Sequence, residues 1–255
     1  MAVQPDRIAS ILHQAVEDAL ATYGLQSCAG VLNDPQVCGP IAAALPPSAQ
    51  LLAQAGMTDP RSLPFLHVPG AFNPTCGCLT PQALTPVPAD TATVKGALAA
   101  VLFNSVFALE TISYGSENNG EVFVNLVPQP GSGRGARKSH GGMRGHTDGV
   151  CFPFAGTRDA VQVRMAPAPD WVCLVCLRNP HTVATRVVPV EPMLKAMPRD
   201  LRRALKEPQF VIGAQSTFIA GMKRILEASH IVDGGALLHG ERGDWGFRFS
   251  HSTVD

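Results

Sequence analysis

No stretch of the 255 residues stays apolar for the ~18 positions that a membrane-crossing helix needs, so no such helix is expected. The sequence also has no surplus of either charge: 20 Lys and Arg face 20 Asp and Glu, for a formal net charge of zero. A broad basic face for nucleic acid or for an anionic membrane is therefore not expected. Charged residues are scarce altogether, at 16%. The opening MAVQPDRIASILHQ lacks a basic segment followed by an apolar one, so no secretory signal is expected. Seven cysteines make an odd count, too sparse for a disulfide scaffold. These absences lead us to expect a cytoplasmic protein with mostly reduced thiols, binding neither nucleic acid nor membrane.

What the chain does have is apolar content, at 45%, with 24 Gly and 22 Pro. That composition suits a loop-rich fold with several short strands better than a helical bundle. Residues 6–24 carry Ile8, Ile11, Leu12, Ala15, Val16, Ala19, Leu20 and Tyr23 at helical spacing, with Gly24 as the expected C-cap. Residues 28–90 are rich in Pro, Gly and Ala and read as short helices joined by long loops. TATVKGALAAVLFNSVF predicts a helix, and GEVFVNLVP after it a strand ended by Pro128. DWVCLVCLR and ATRVVPV predict two more strands. PMLKAMPRDLRRALKE predicts a helix broken near Pro198, and GGALLHGERGDWGFRFS two strand-like runs around the turn GERGD. Helices early and strands late point to an α+β arrangement on an antiparallel core.

The chemistry concentrates in GGMRGHTDGVCFPF, residues 141–154. In a strand, positions i and i+2 share a face. His146 and Asp148 are thus expected to point together, with Thr147 pointing away. An imidazole and a carboxylate converging this way supply two corners of a 2-His-1-carboxylate site for non-haem Fe(II). Gly145 and Gly149 would let backbone and ligand approach closely. The triplet alone equally describes a His–Asp pair in a turn.

HTDG, then PDWVCLVCLR at 169–178, then VATRVV resembles the clavaminate-synthase-like branch of the Fe(II)/2-oxoglutarate-dependent oxygenases, the TauD/TfdA superfamily. NNGEVFVNLVPQPG upstream and ALLHGERGDWGFRFS downstream are similar to segments of the same branch, so the resemblance covers roughly residues 100–255. It implies an α+β fold with a double-stranded β-helix (jelly-roll) core and flanking helices. The single domain would span 1–255, with a helical and loop part at 1–90 and the core at 91–255. The resemblance further implies Fe(II) held by His146 and Asp148, 2-oxoglutarate contacted by Thr185, and O2 as the other cosubstrate. The reaction would hydroxylate or desaturate an amino-acid-like small molecule, for which Asn118, Asn119 and Glu121 are candidate contacts. Two features depart from the family. FPFAGTRDAVQVRMA looks like an insertion. The late histidines, His230, His239 and His251, lie closer to His146 than the family's distal ligand does. His251 is the candidate third ligand; Arg242 and Arg248 are substitutes for the arginine that grips 2-oxoglutarate. The core is accordingly expected to lack its last strands. The alternative is a catalytically incomplete jelly-roll that acts as a binding module, or a fragment of a split enzyme.

Other motifs carry less. GSGRGARKS fails the phosphate-loop pattern, because Arg137 and Ser132 occupy its glycine positions; its cluster Arg134, Arg137 and Lys138, with Arg144, reads as a basic loop. Cys76 and Cys78 have a poor spacing for zinc. Cys173 and Cys176 would fall on opposite faces of a strand and are expected as buried core thiols. A hydrolase built on His146 and Asp148 lacks a nucleophile elbow or a Cys/His dyad beside it.

Overall fold

The computed structural model describes residues 5–34, 37, 63–74, 80–128, 131, 145–154, 167–226 and 231–250. The chain divides into two compact units, each drawn from separate stretches. One comprises Met1–Tyr114, Gly120–Ser132 and Cys173–Thr185; the other comprises Gly115–Asn119, Gly133–Val172 and Arg186–Asp255.

The first unit is built on two helices, α1 (Pro5–Cys28) and α2 (Thr91–Val106). Pro5 opens α1 where a backbone N–H would have no helical acceptor, and Asp6 sits in the positive first turn. The apolar spacing then delivers Ile8, Leu12, Ala15, Val16 and Ala19 to one buried face. Gly24 does take a left-handed φ of 76°, as a C-cap would. Yet the helix resumes for a last turn and runs into a 3-10 turn at Ala29–Leu32, so Gly24 marks a kink rather than the end. Asp90 caps α2, its carboxylate accepting from the Thr93 N–H at 2.9 Å. From Ala92 to Leu102 nearly every residue of α2 is buried, which is what an all-round apolar helix requires. Leu98, Val94, Val101 and Leu102 join Leu12 and Val16 in one cluster, and an ion pair between Lys95 and Glu17 ties the helices at the edge.

In the second unit, α3 (Val190–Ala196) and α4 (Arg199–Lys206) are separated at Met197–Pro198. The residue before a proline avoids helical backbone, and Met197 is extended, so the break falls where the sequence predicts it. β1 (Phe210–Gly213) pairs antiparallel with β2 (Ile231–Gly235), with a register shift between Phe210 and Ile212. α5 (Ser216–Leu226) lies between them in sequence and buries Phe218 and Met222. β3 (Leu238–Glu241) and β4 (Asp244–Phe247) form the hairpin expected around GERGD. Gly240 has φ 85°, and a Cβ there would stand 2.0 Å from the Asp244 carbonyl oxygen, so this position admits no side chain. The Lys206 ammonium lies 4.7 Å from the Trp245 ring centre and donates to the Gly240 carbonyl at 2.8 Å, fastening α4 to the hairpin. Val150, Ile212, Val232 and Leu237 form a small core, with Leu205 and Phe210 against it.

Among the described residues the β structure amounts to these two two-stranded antiparallel sheets. The runs 120–128, 170–178 and 184–190, expected as strands, lie outside any ladder there. The reason is visible in their side chains. Val175 and Leu177 pack close to Gly96 of α2, where an added Cβ would meet Val175 at 2.6 Å. Val172 and Leu174 instead face solvent, as do Leu126 and Val188, each 69% exposed. A strand-like composition reports fit to a pleated surface covered by neighbours, and here one side only is covered. Cys176, expected in the core, is exposed on the uncovered side with Val172 and Leu174. Cys173, expected there as well, is also exposed, although on the side of Val175 and Leu177, and partial burial pushes its thiol up. No helix among the described residues is long and apolar enough to cross a membrane.

Candidate functional site

His146 and Asp148 are brought together. His146 Nε2 lies 3.6 Å from Asp148 Oδ1, and the two side chains are 30% and 56% exposed. The sequence places them on one strand; the backbone achieves the same convergence differently. His146 makes a single antiparallel bridge with Ser250, and Asp148 already begins the turn that carries the chain into the core. Phe152 N–H donates to the Gly149 carbonyl at 2.8 Å, and Val150, Cys151 and Phe152 are buried immediately after the exposed carboxylate. Phe152 meets Phe218 edge-on with ring centres 5.2 Å apart.

The glycines flanking the triplet differ. Gly149 has φ 61°, and a Cβ on it would sit 2.7 Å from Phe152 Cδ2. Gly145 has no neighbour within 4 Å of the corresponding point among the described residues. The first is required by the turn, whereas the second is open.

Thr147, expected to point away from the pair, finds a partner 102 residues on. Its N–H donates to the Phe249 carbonyl at 2.8 Å. Its hydroxyl accepts from the Phe249 N–H at 3.0 Å and lies 3.4 Å from the Phe249 carbonyl. Below this clasp lies Arg248, a buried guanidinium. Its Nε donates to the Ala236 carbonyl at 2.7 Å and its Nη1 to the Phe152 carbonyl at 3.3 Å, while its charge lies 4.6 Å from the centre of the Phe154 ring. His239 stacks on that same ring at 5.6 Å. Arg248 thus joins segments 152–154, 236–237 and 248–250 behind the pair. The sequence names Arg248 and His239 without indicating that they share Phe154.

A surface ion pair contributes at most about 1 kcal/mol to stability, so folding alone does not call for it. Two donors at ~2.1 Å from one ion stand roughly 3 Å apart when adjacent and roughly 4 Å when opposite. The 3.6 Å separation of an imidazole nitrogen and a carboxylate oxygen, both part-exposed, is longer than the roughly 3 Å of adjacent ligands, so the two side chains would have to close on a shared ion by a small rotation. Among the described residues no third His, Cys, Asp or Glu completes a metal-sized cluster with them. His251 lies outside the described residues, one peptide unit beyond Ser250, the bridge partner of His146.

The remaining candidates are distributed. Thr185 is exposed and belongs to the first unit, as does Glu121. Asn118 belongs to the second unit and is left-handed, with φ 46°. Its neighbour Asn119 is also left-handed and accepts from Arg224 Nη1 at 3.2 Å, while Arg224 Nη2 donates to the Gly115 carbonyl. α5 comes so close to this loop that a Cβ on Gly221 would overlap the Ser116 backbone. Cys76, Cys78, Arg134, Arg137, Lys138, Arg144 and His230 lie outside the described residues. Cys151, three residues after Asp148, is no nucleophile at neutral pH: burial pushes its thiol up to about 11, against smaller lowering effects of backbone hydrogen bonds and of Arg248. Comparison of the chain with protein-family models, with curated proteins and with solved structures found no match.

Proposed function

We propose that this protein is an Fe(II)/2-oxoglutarate-dependent dioxygenase acting on an amino-acid-like small molecule, on a double-stranded β-helix core. The observation that carries the reading is the solvent-open approach of His146 Nε2 to Asp148 Oδ1 at 3.6 Å. It is supported by the order of HTDG, PDWVCLVCLR and VATRVV along the chain. His146 and Asp148 would hold the metal, the imidazole neutral and the carboxylate ionised, as ligands must be. His251 is the third ligand in this reading, and Thr185 the contact to 2-oxoglutarate. When bound, Fe(II) with 2-oxoglutarate and O2 supplies the oxidising power to remove hydrogen from an unactivated C–H bond. The protein's own contribution is orientation: the 149–152 turn and the Thr147–Phe249 clasp fix where the two donors point. Asn118 and Glu121 are the side chains assigned to a substrate ammonium or amide.

Purified protein mixed with Fe(II) and 2-oxoglutarate under argon should develop the weak visible charge-transfer band of the chelate. His146→Ala and Asp148→Ala should each abolish it. A full-strength band in His146→Ala would refute the assignment. No band in the wild-type protein would favour a binding module without oxygenase chemistry.

A further inference from the structure

We infer that Thr147, the residue between the two candidate ligands, is a positioning residue that sets their geometry by clasping the segment 248–250. This rests on the metal reading of His146 and Asp148 and adds a role to a side chain that touches neither metal nor substrate in it. The clasp is reciprocal. Thr147 N–H donates to the Phe249 carbonyl at 2.8 Å, and the Phe249 N–H donates back to the Thr147 hydroxyl at 3.0 Å. An ordinary antiparallel pair returns that second bond to a backbone carbonyl. Here a side-chain oxygen takes it, so the backbone carbonyl of Thr147 need not face Phe249, and the chain can turn at once into Asp148 and the 149–152 turn.

The consequence is mechanical. His146 is bridged to Ser250. Asp148 is fixed on its far side by Gly149 and the buried Phe152. Thr147 is the link between these supports. Phe249 is itself held, because the preceding Arg248 is buried and its N–H donates to the Leu237 carbonyl at 3.0 Å. The hydroxyl therefore transmits the rigidity of the Arg248 anchor to the ligand pair. Partners that orient ligands from behind typically change metal affinity 10–100-fold when removed.

Thr147→Val keeps shape and backbone but removes the hydroxyl; Thr147→Ser restores it. In the full-length chain, Co(II) alone is titrated and followed by its visible absorption, and amide exchange of the metal-free protein is followed by NMR. Thr147→Val should speed exchange at the Phe249 amide at least fivefold and weaken Co(II) binding about tenfold. Thr147→Ser should stay near wild type in both, and a parallel melting curve separates this from general loss of fold. Unchanged exchange at Phe249 in Thr147→Val overturns the clasp. Faster exchange with Co(II) affinity within twofold of wild type, in a protein whose His146→Ala variant has lost Co(II), overturns the positioning role alone. Wild-type protein that binds Co(II) no better than His146→Ala overturns the metal reading and the positioning role with it.

Discussion

The two glycines that bracket the His–Thr–Asp triplet look equivalent in the sequence and should respond oppositely to alanine. Gly149 has φ 61°, where an L-residue with a Cβ pays about 1–2 kcal/mol. The new methyl would also stand 2.7 Å from Phe152 Cδ2, closer than Cβ atoms come to anything. Phe152 is buried against Phe218, so its ring yields only by leaving its preferred rotamer, at about 0.5–1.5 kcal/mol. Gly149→Ala should therefore destabilise by about 1.5–3.5 kcal/mol. Gly145 is outside the left-handed region and has nothing among the described residues within 4 Å of its would-be Cβ. Gly145→Ala should be neutral or stabilise by up to about 1 kcal/mol, through the entropy of the unfolded chain. Both tryptophans, Trp171 and Trp245, belong to the second unit together with the triplet, so intrinsic fluorescence in urea reads the relevant transition. With a slope of about 1–3 kcal/mol per molar urea, the Gly149→Ala midpoint should fall by roughly 1 M or more. Equal midpoints for the two variants, or a larger fall for Gly145→Ala, would refute the account of the turn.

Three further outcomes are expected. Leu98→Ala, at a fully buried position between α1 and α2, should cost about 2–5 kcal/mol, read from helical circular dichroism during denaturation; a cost under about 1 kcal/mol would mean that the α1–α2 cluster is not packed as described. Pulse labelling with N-ethylmaleimide, resolved by peptide mass, should modify the exposed Cys176 quickly and the buried Cys28 and Cys151 slowly, and fast labelling of Cys151 would contradict its burial. Because the folded Cys151 thiol is held up to about 11 from 9.0, the native state keeps a proton that the unfolded chain releases. Stability should then fall as pH rises from about 9 to about 11, by up to about 2–3 kcal/mol at ~1.4 kcal/mol per unit, and Cys151→Ala should flatten that part of the curve. Identical slopes for the two proteins would remove Cys151 as the cause.

The parts of the fold that sequence periodicity reveals are those whose stabilising contacts are local or face-defining. α1 follows from apolar spacing, α2 from a long run of apolar helix formers after the Asp90 cap, the α3–α4 break from Pro198, and the β3–β4 hairpin from GERGD. In each, the decisive interaction spans a few residues or one helical face. Strand pairing is different, because period-two alternation says which side chains share a face and is silent on which backbone lies alongside. GEVFVNLVP and DWVCLVCLR have strand composition, yet their outer side chains stay exposed, so composition there reported apolar content rather than a neighbour.

The same division runs through the candidate site. The proximity of His146 and Asp148 follows from a separation of two residues, and it survives even though the backbone turns where a strand is expected. The groups that hold the pair in place have no such local signature. Phe249 meets Thr147 across 102 residues, and Arg248 reaches Phe152 across 96. Donor identity and donor orientation are thus carried by different parts of the chain. The triplet HTD supplies the atoms, and the segment RFS, unremarkable by itself, supplies the restraint. If the pair holds the proposed metal, a substitution within residues 248–250 should alter Co(II) affinity without replacing His146 or Asp148, and a Co(II) titration of Arg248→Lys with affinity equal to wild type would refute this division.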